Sequence, residues 1–279
     1  MTVLHLDVYT SPERTLPNGG LFSPTTATLV LGEREAVLAD TGYFAEDVEE
    51  ISRRIRESGR TLTAVYITHA HPDHYFGLDR LLEAHPQARA VALPHVAADI
   101  ETGLESDRAQ WREFFGGKAL DNTTVPEPLD GDTLTVDGQP LRAIAVGQGD
   151  VPRNTALHIP SLQAVIAGDI IYNGVNPFLA ASGPEQWRAW IDSIGRIAEL
   201  SPRIVVAGHK RPELPDDDPA ATLEGTRGYI RDFIEELEAS EGPRELVARM
   251  QRRYPDHANP SALIMSAVTA FKRTRSGNA

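Results

Sequence analysis

Three imidazoles and a carboxylate fall within six residues of one another, in the run Thr68-His69-Ala70-His71-Pro72-Asp73-His74. Neutral imidazole nitrogen and carboxylate oxygen are the donors that borderline divalent ions such as zinc or iron prefer. His69 and His71, two residues apart at the end of an apolar segment (AVYIT, 64–68), can converge in a loop. Pro72 restricts the backbone, and Asp73 and His74 then fall at the start of a helix. A polar, histidine-rich turn is the ordinary alternative. Four defined positions behind an apolar strand speak against it.

Composition narrows the chemistry. The 279 residues include no cysteine, which excludes thiolate ligands, disulfides and a cysteine nucleophile. Lys and Arg number 27 against 40 Asp and Glu, so the net charge is 27 − 40 = −13, which argues against a nucleic-acid partner. With 41% hydrophobic and 24% charged residues, the chain reads as a folded globular protein. No run approaches the roughly 20 apolar residues of a membrane span. The first residues, MTVLHLDVYTSPER, lack the basic start and apolar core of a signal peptide. The expectation is a cytoplasmic protein with a small-molecule substrate, no nucleic acid, no membrane, and room for a homo-oligomer.

The elements that must position the histidine run alternate between strand and helix. Strand patterns cover 3–9, 26–32 and 36–40, separated by SPERTLPNGGLFSP, whose Pro and Gly content describes an exposed loop. Residues 45–58 carry helical spacing with acids early and arginines late, and Gly59 stops them. Further helices are expected at 75–84, 96–115, 184–200, 219–254 and 260–272. Further strands are expected at 91–94, 133–136, 141–146, 155–160, 164–169 and 204–208. Hairpins mixed with βαβ-like units fit two mixed sheets between helices, in one domain over 1–279 with a C-terminal helical extension at about 219–279.

With these residues in place, the chain resembles the metallo-β-lactamase superfamily, whose hallmark is H-x-H-x-D-H. The resemblance covers roughly residues 3–212 and implies an αββα sandwich with metals at one edge. It implies that His69 and His71 serve a first metal site and Asp73, His74 and His209 a second. Asp169, in VIAGDIIY, would bridge the two ions, and Asp40, in AVLADTGY, would support them from behind. Two divalent ions follow, zinc first, with iron or manganese as alternatives.

One position departs from the family pattern. Where relatives carry a third histidine for the first site, the run Ala145-Val146-Gly147-Gln148-Gly149-Asp150 places Gln148. An amide oxygen is a weaker ligand than imidazole, so the first site is expected to be partly occupied or to recruit Asp150, directly or through water. A turn-forming surface aspartate is the alternative for Asp150. Tyr172 follows Asp169 by three residues, and in lactonases of this superfamily a tyrosine at that spacing faces the metals and assists the substrate; a half-buried strand-end tyrosine is the alternative. Trp111, Phe114 and Phe115 suit either a substrate mouth or core packing. Trp187 and Trp190 suit helix packing, and Lys210 and Arg211 suit solvent exposure.

The expected function is hydrolysis of an ester-like bond (lactone, thioester or amide) by a metal-bound hydroxide, with Asp73 orienting the nucleophile and Tyr172 assisting the substrate. The alternatives are a mononuclear iron oxygenase on the same fold and a non-catalytic binding protein with a weakened site. Specificity is expected in 11–25, 96–125 and 173–184, which carry no recognisable chemistry of their own.

Overall fold

The computed structural model describes residues 3–17 and 19–276. Met1 and Thr2, Asn18 of the 11–25 loop, and 277–279 at the end of the expected C-terminal extension lie outside the described residues. The first half of the chain builds β1 (His5–Thr10), a short ribbon of β2 (Arg14–Thr15) with β3 (Leu21–Phe22), β4 (Thr26–Leu31) and β5 (Glu35–Ala39). It continues with α1 (Ala45–Ser58), β6 (Thr61–Ile67), α2 (Pro72–Tyr75), α3 (Leu78–Ala84), β7 (Arg89–Ala92), α4 (Pro94–Phe114) and β8 (Glu127–Pro128). The second half builds β9 (Thr133–Val136), β10 (Gln139–Gly147), β11 (Asn154–Ile159), β12 (Ala164–Ile166), β13 (Tyr172–Asn173), α5 (Pro184–Glu199), β14 (Ile204–Val206) and β15 (His209–Lys210). Three helices close the chain: α6 (Pro219–Glu238), α7 (Pro243–Arg253) and α8 (Pro260–Ser276).

Two mixed sheets result, in the strand orders β1-β4-β5-β6-β7-β8 and β14-β12-β11-β10-β9. The pleat decides where each side chain goes, since alternate residues face opposite sides. In β5, Val37 and Ala39 pack between the sheets while Ala36 and Leu38 pack outward under the helices. In β12, Ala164 and Ile166 face the other sheet and Val165 faces the C-terminal helices. Strands buried on both faces read as continuous apolar runs, which is why AVLA and AVI lack alternation in sequence. The outer core of the first sheet is covered by α1, α3 and α4, and that of the second by α5 to α8. The layers are α/β/β/α, as the sequence led us to expect.

Strand direction fixes where chemistry can collect. β5, β6 and β7 run parallel in one sheet, and β12 and β14 run parallel in the other. The carboxyl ends of β5 and β6 lead directly into Asp40 and Thr68-His69, and those of β12 and β14 lead through short turns to Asp169 and His209. The turn carrying Asp169 is braced from the helical layer. Trp190 on α5 is fully buried, and its indole N–H donates to the Ile170 carbonyl at 2.8 Å. Among the described residues no helix is long and apolar enough to cross a membrane.

Replacing Trp190 by Phe would leave the Ile170 carbonyl without its donor and thin the core beneath the turn. Stability should fall by about 1–3 kcal/mol, the usual cost of stranding a buried polar partner. Urea unfolding of both proteins measures this, and an unchanged midpoint would show that the indole does not brace the turn.

Candidate metal centre

Asp40 follows β5 in the left-handed region, at φ 60°, a conformation that aspartate tolerates better than most residues. Its carboxylate accepts from the Thr68 backbone N–H and from the Thr68 hydroxyl, both at 2.9 Å, and lies 2.9 Å from His74 Nδ1. A carboxylate of this kind only accepts, so the His74 proton sits on Nδ1 and the Nε2 lone pair turns inward. With its own proton given to Asp40, the Thr68 hydroxyl oxygen accepts from His69 Nδ1 at 2.8 Å. His209 donates Nδ1–H to the Pro24 carbonyl at 2.8 Å. Three rings are thus held with Nε2 directed at one place.

The donor atoms converge there without pairing. His74 Nε2 lies 3.2 Å from Asp169 Oδ1, and His209 Nε2 lies 3.0 Å from Asp169 Oδ2 and 3.4 Å from Asp73 Oδ2. His71 Nδ1 lies 2.9 Å from Asp150 Oδ2 and 3.6 Å from Asp73 Oδ1. His69 Nε2 is 3.9 Å from both Asp150 and Asp169. Despite these distances, His69 Nε2, His71 Nδ1, His74 Nε2, Asp73 Oδ1, Asp150 Oδ2 and Asp169 Oδ1 are buried without a hydrogen-bond partner. Orphaned buried polar atoms are costly. A shared cation would satisfy them together. The atoms fall into two groups that could each hold an ion: His69, His71, Asp150 and Asp169, and Asp73, His74 and His209, with ligand atoms within 4.8 Å of one another in each.

Asp169 belongs to the first group, with Oδ2 3.9 Å from His69 Nε2, and also reaches the second, with Oδ1 toward His74 and Oδ2 toward His209. Tyr172 donates its hydroxyl to Asp169 Oδ2 at 2.6 Å and stacks its ring on His209. Asp73 is steadied by the Thr25 hydroxyl at 3.2 Å, a contact that sequence reasoning missed because Thr25 lies in the Pro- and Gly-rich loop. Gln148, expected to stand where a third histidine would serve the first site, gives its amide N–H to the Gly149 carbonyl at 3.0 Å. Asp150 is fully buried, with Oδ1 accepting from the Val151 N–H at 2.7 Å and Oδ2 facing His71. The structure therefore brings Asp150 into the first group.

The electrostatics follow from this crowding. Burial opposes the ionised form of Asp73 and Asp169, yet the surrounding imidazoles outweigh it; Asp73 is held below the usual carboxylate range and Asp169 well below. Burial likewise opposes the charged form of His71, but Asp150, Asp73 and Asp169 push its pKa up to about 9. His74 and His209 also rise against burial, drawn by Asp169 and Asp73. His69 alone is lowered, by burial and by the neighbouring His74. For Tyr172, burial and then Asp169 hold the phenol protonated well above its ordinary range.

Two glycines allow the close approach. A β-carbon at Gly208 would meet Asp169 Oδ1 at 2.1 Å, and Gly168 adopts φ 51° with the Thr68 hydroxyl in the way of any side chain. The Gly-His and Gly-Asp dipeptides are thus steric requirements of the site.

Above the centre opens a cleft of about 430 Å³ whose floor includes His71, Asp73, Tyr172 and His209. All three stretches expected to carry specificity contribute, through Phe22, Trp111 with Phe114, and Phe178 among others. Phe115 instead joins the core, and Trp187 and Trp190 are buried packing residues. Lys210, expected in solvent, is 4% exposed and paired with Asp216 at 2.7 Å, because β15 carries it inward beside His209. The contribution of α8 through Ser261, Ala262 and Met265 was not foreseen, since nothing in its sequence marks it as a cleft wall.

Comparison with known proteins agrees with this geometry. Residues 20–209 match the profile of the metallo-beta-lactamase superfamily. A hydroxyacylglutathione hydrolase from Alkalilimnicola ehrlichii is 32% identical over 180 residues, covering 63% of this chain and 57% of its own length. An atrochrysone carboxyl ACP thioesterase from Aspergillus chevalieri is 27% identical over 154 residues, 55% of this chain and 42% of that protein. The chain thus spans about half the length of these curated relatives. A metallo-beta-lactamase family protein from Thermus thermophilus superposes with a TM-score of 0.63 at 21% identity, over 97% of this chain and 94% of that one. A beta-lactamase domain protein from Burkholderia ambifaria gives 0.66 at 17%, over 97% and 86%.

The two residues at the departure can be separated by elemental analysis. With Asp150 completing the first group, Asp150→Ala should lower the metal content by about one ion per chain, since a site with too few ligands fails to hold its ion. Gln148→Ala should leave the content unchanged. The reverse pattern would assign the ligand to Gln148.

Proposed function

The chain belongs to the metallo-beta-lactamase superfamily, and on that premise we propose that it hydrolyses an ester-like bond of a small molecule with two divalent ions, zinc first. The observation that carries this reading is the convergence of six buried, unpartnered donor atoms, those of His71 and Asp73 on residues that line an open cleft. Relatives named as a hydrolase and as a thioesterase support the choice of bond. His69, His71, Asp150 and Asp169 would hold one ion, and Asp73, His74, His209 and Asp169 the other. Such ions, when bound, supply Lewis acidity that acidifies water and polarises a carbonyl.

The chain's own residues do the rest. Asp73 presents Oδ1, free of hydrogen bonds and beside His71, where it can accept a proton from a water entering the floor of the cleft. Thr25 holds the other oxygen and so fixes the direction of the first. Tyr172 orients Asp169 with its one hydroxyl proton and borders the cleft, where turning that proton from Asp169 would make the phenol a donor to a substrate carbonyl oxygen. Trp111, Phe178 and Phe22 keep the walls apolar, which strengthens each charged contact at the floor.

Dialysis against a strong chelator should abolish ester, thioester and lactone cleavage, and zinc, manganese or iron should restore it. Activity in protein verified to be metal-free would refute the reading. Tyr172→Phe should lower kcat by the equivalent of about 2–4 kcal/mol, as for loss of a well-placed donor to a developing oxyanion, with metal content unchanged. An unaltered kcat would leave Tyr172 only its contact with Asp169.

A further inference from the structure

The walls of the cleft differ in chemistry from its floor. Among its described lining residues there is no lysine or arginine, and beyond the metal-facing groups the one ionisable acid is Asp107, which accepts the Tyr75 hydroxyl at 2.8 Å. The wall surface is otherwise dominated by Phe22, Trp111, Phe114, Phe178 and Met265. Met265 belongs at once to the cleft and to the outer face of α8. There Ile264, Met265 and Val268 are 48%, 40% and 37% exposed, three of the four large hydrophobic side chains exposed among the described residues. Their spacing places them on one side of the helix, so the apolar surface runs out of the cleft along α8. That lip is anchored: Ser261 accepts from the Leu21 N–H at 3.0 Å, and Ser266 accepts from the Leu179 N–H at 2.9 Å. α8 is tied to both neighbouring walls and forms a fixed side of the groove.

Resting on the hydrolase reading, we infer that the substrate is uncharged near its scissile bond and carries an extended apolar acyl chain, seated on the aromatic wall and leaving along Met265 and Val268. A thiol or alcohol half bearing carboxylates would meet Asp107 and no cation in the cleft walls. An alkyl chain would remove Met265 and its neighbours from water as it bound. Each methylene so buried should improve transition-state binding about two- to fourfold, the scale of transferring one CH₂ out of water.

The test uses the full chain loaded with zinc and thioesters that share their acyl groups, butanoic to decanoic, and differ in the thiol half: neutral, small N-acetylcysteamine or larger, carboxylate-bearing glutathione. We expect kcat/KM to climb with chain length, and the neutral series to exceed the glutathione series by about tenfold, the scale set by unfavourable carboxylate encounters with walls that carry Asp107 and no lysine or arginine. Met265→Asp should flatten the chain-length dependence, and Gln110→Lys, on the wall of the cleft, should narrow the gap between the series. Affinity for unreactive 2-alkanones, followed by tryptophan fluorescence, should rise with chain length in the same way. Chain-length-dependent alkanone binding without thioester cleavage would refute the hydrolase reading and uphold the apolar site. Cleavage that is indifferent to chain length, or that favours the glutathione series, would overturn the inference and leave the hydrolase reading standing.

Discussion

Three carboxylates, Asp73, Asp150 and Asp169, are fully buried within reach of the same imidazoles. That concentration of negative charge away from water is the constraint on which the site depends. Burying an ionised carboxylate without compensation is costly enough that it would normally take up a proton. Here the histidines raise that barrier to protonation by favouring the charged form of Asp73 and Asp169. Asp40, Thr68 and Pro24 engage the Nδ1 atoms of His74, His69 and His209 and so leave each Nε2 directed at the centre. A divalent cation answers both requirements at once, engaging the inward nitrogens and neutralising the oxygens.

The fold exists around this point in a specific sense. Each sheet sends parallel strands to the same edge, one delivering Asp40 and the histidine run, the other Asp169 and His209. Neither sheet alone holds a complete set. The interface between them is therefore both a core of aliphatic side chains and the device that brings the half-sites together. Packing tolerances near the centre are correspondingly tight: Gly208 leaves no room for a methyl group, and Trp190 supports the Asp169 turn from the opposite layer.

What could be read from sequence depended on how local the signal was. Helix α1 carries its own start, periodicity and stop, and it forms over 45–58 as its sequence requires. The histidine run is legible because four donors share six residues. Asp169 and His209 are single residues after apolar strands, and the family resemblance drew attention to them. The 11–25 segment looked like an exposed loop because Pro and Gly erase periodicity. Composition of that kind says nothing about burial, and the segment places Phe22 at the cleft, Pro24 behind His209 and Thr25 on Asp73. The pairing of β13 with β15 was illegible for the same reason: two-residue strands have no period. Lys210 misled because charge suggests solvent, whereas a paired lysine can be buried.

The buried carboxylate of Asp150 beside His71 bears on more than ligand strength. A carboxylate in place of a third imidazole adds a negative charge to the ligand set without changing the number of donors. On the proposed reading, three carboxylates against two divalent ions would leave one net positive charge, where two carboxylates and an additional histidine would leave two. The weaker residual field attracts anionic groups less, and the cleft above provides no lysine or arginine to recover that attraction. Asp107 and the chain's overall charge of −13 act in the same direction. Floor and walls are therefore consistent with each other: a centre of reduced positive charge beneath aromatic walls favours a substrate whose affinity comes from apolar contact, and leaves the ions to act on the one carbonyl that reaches them.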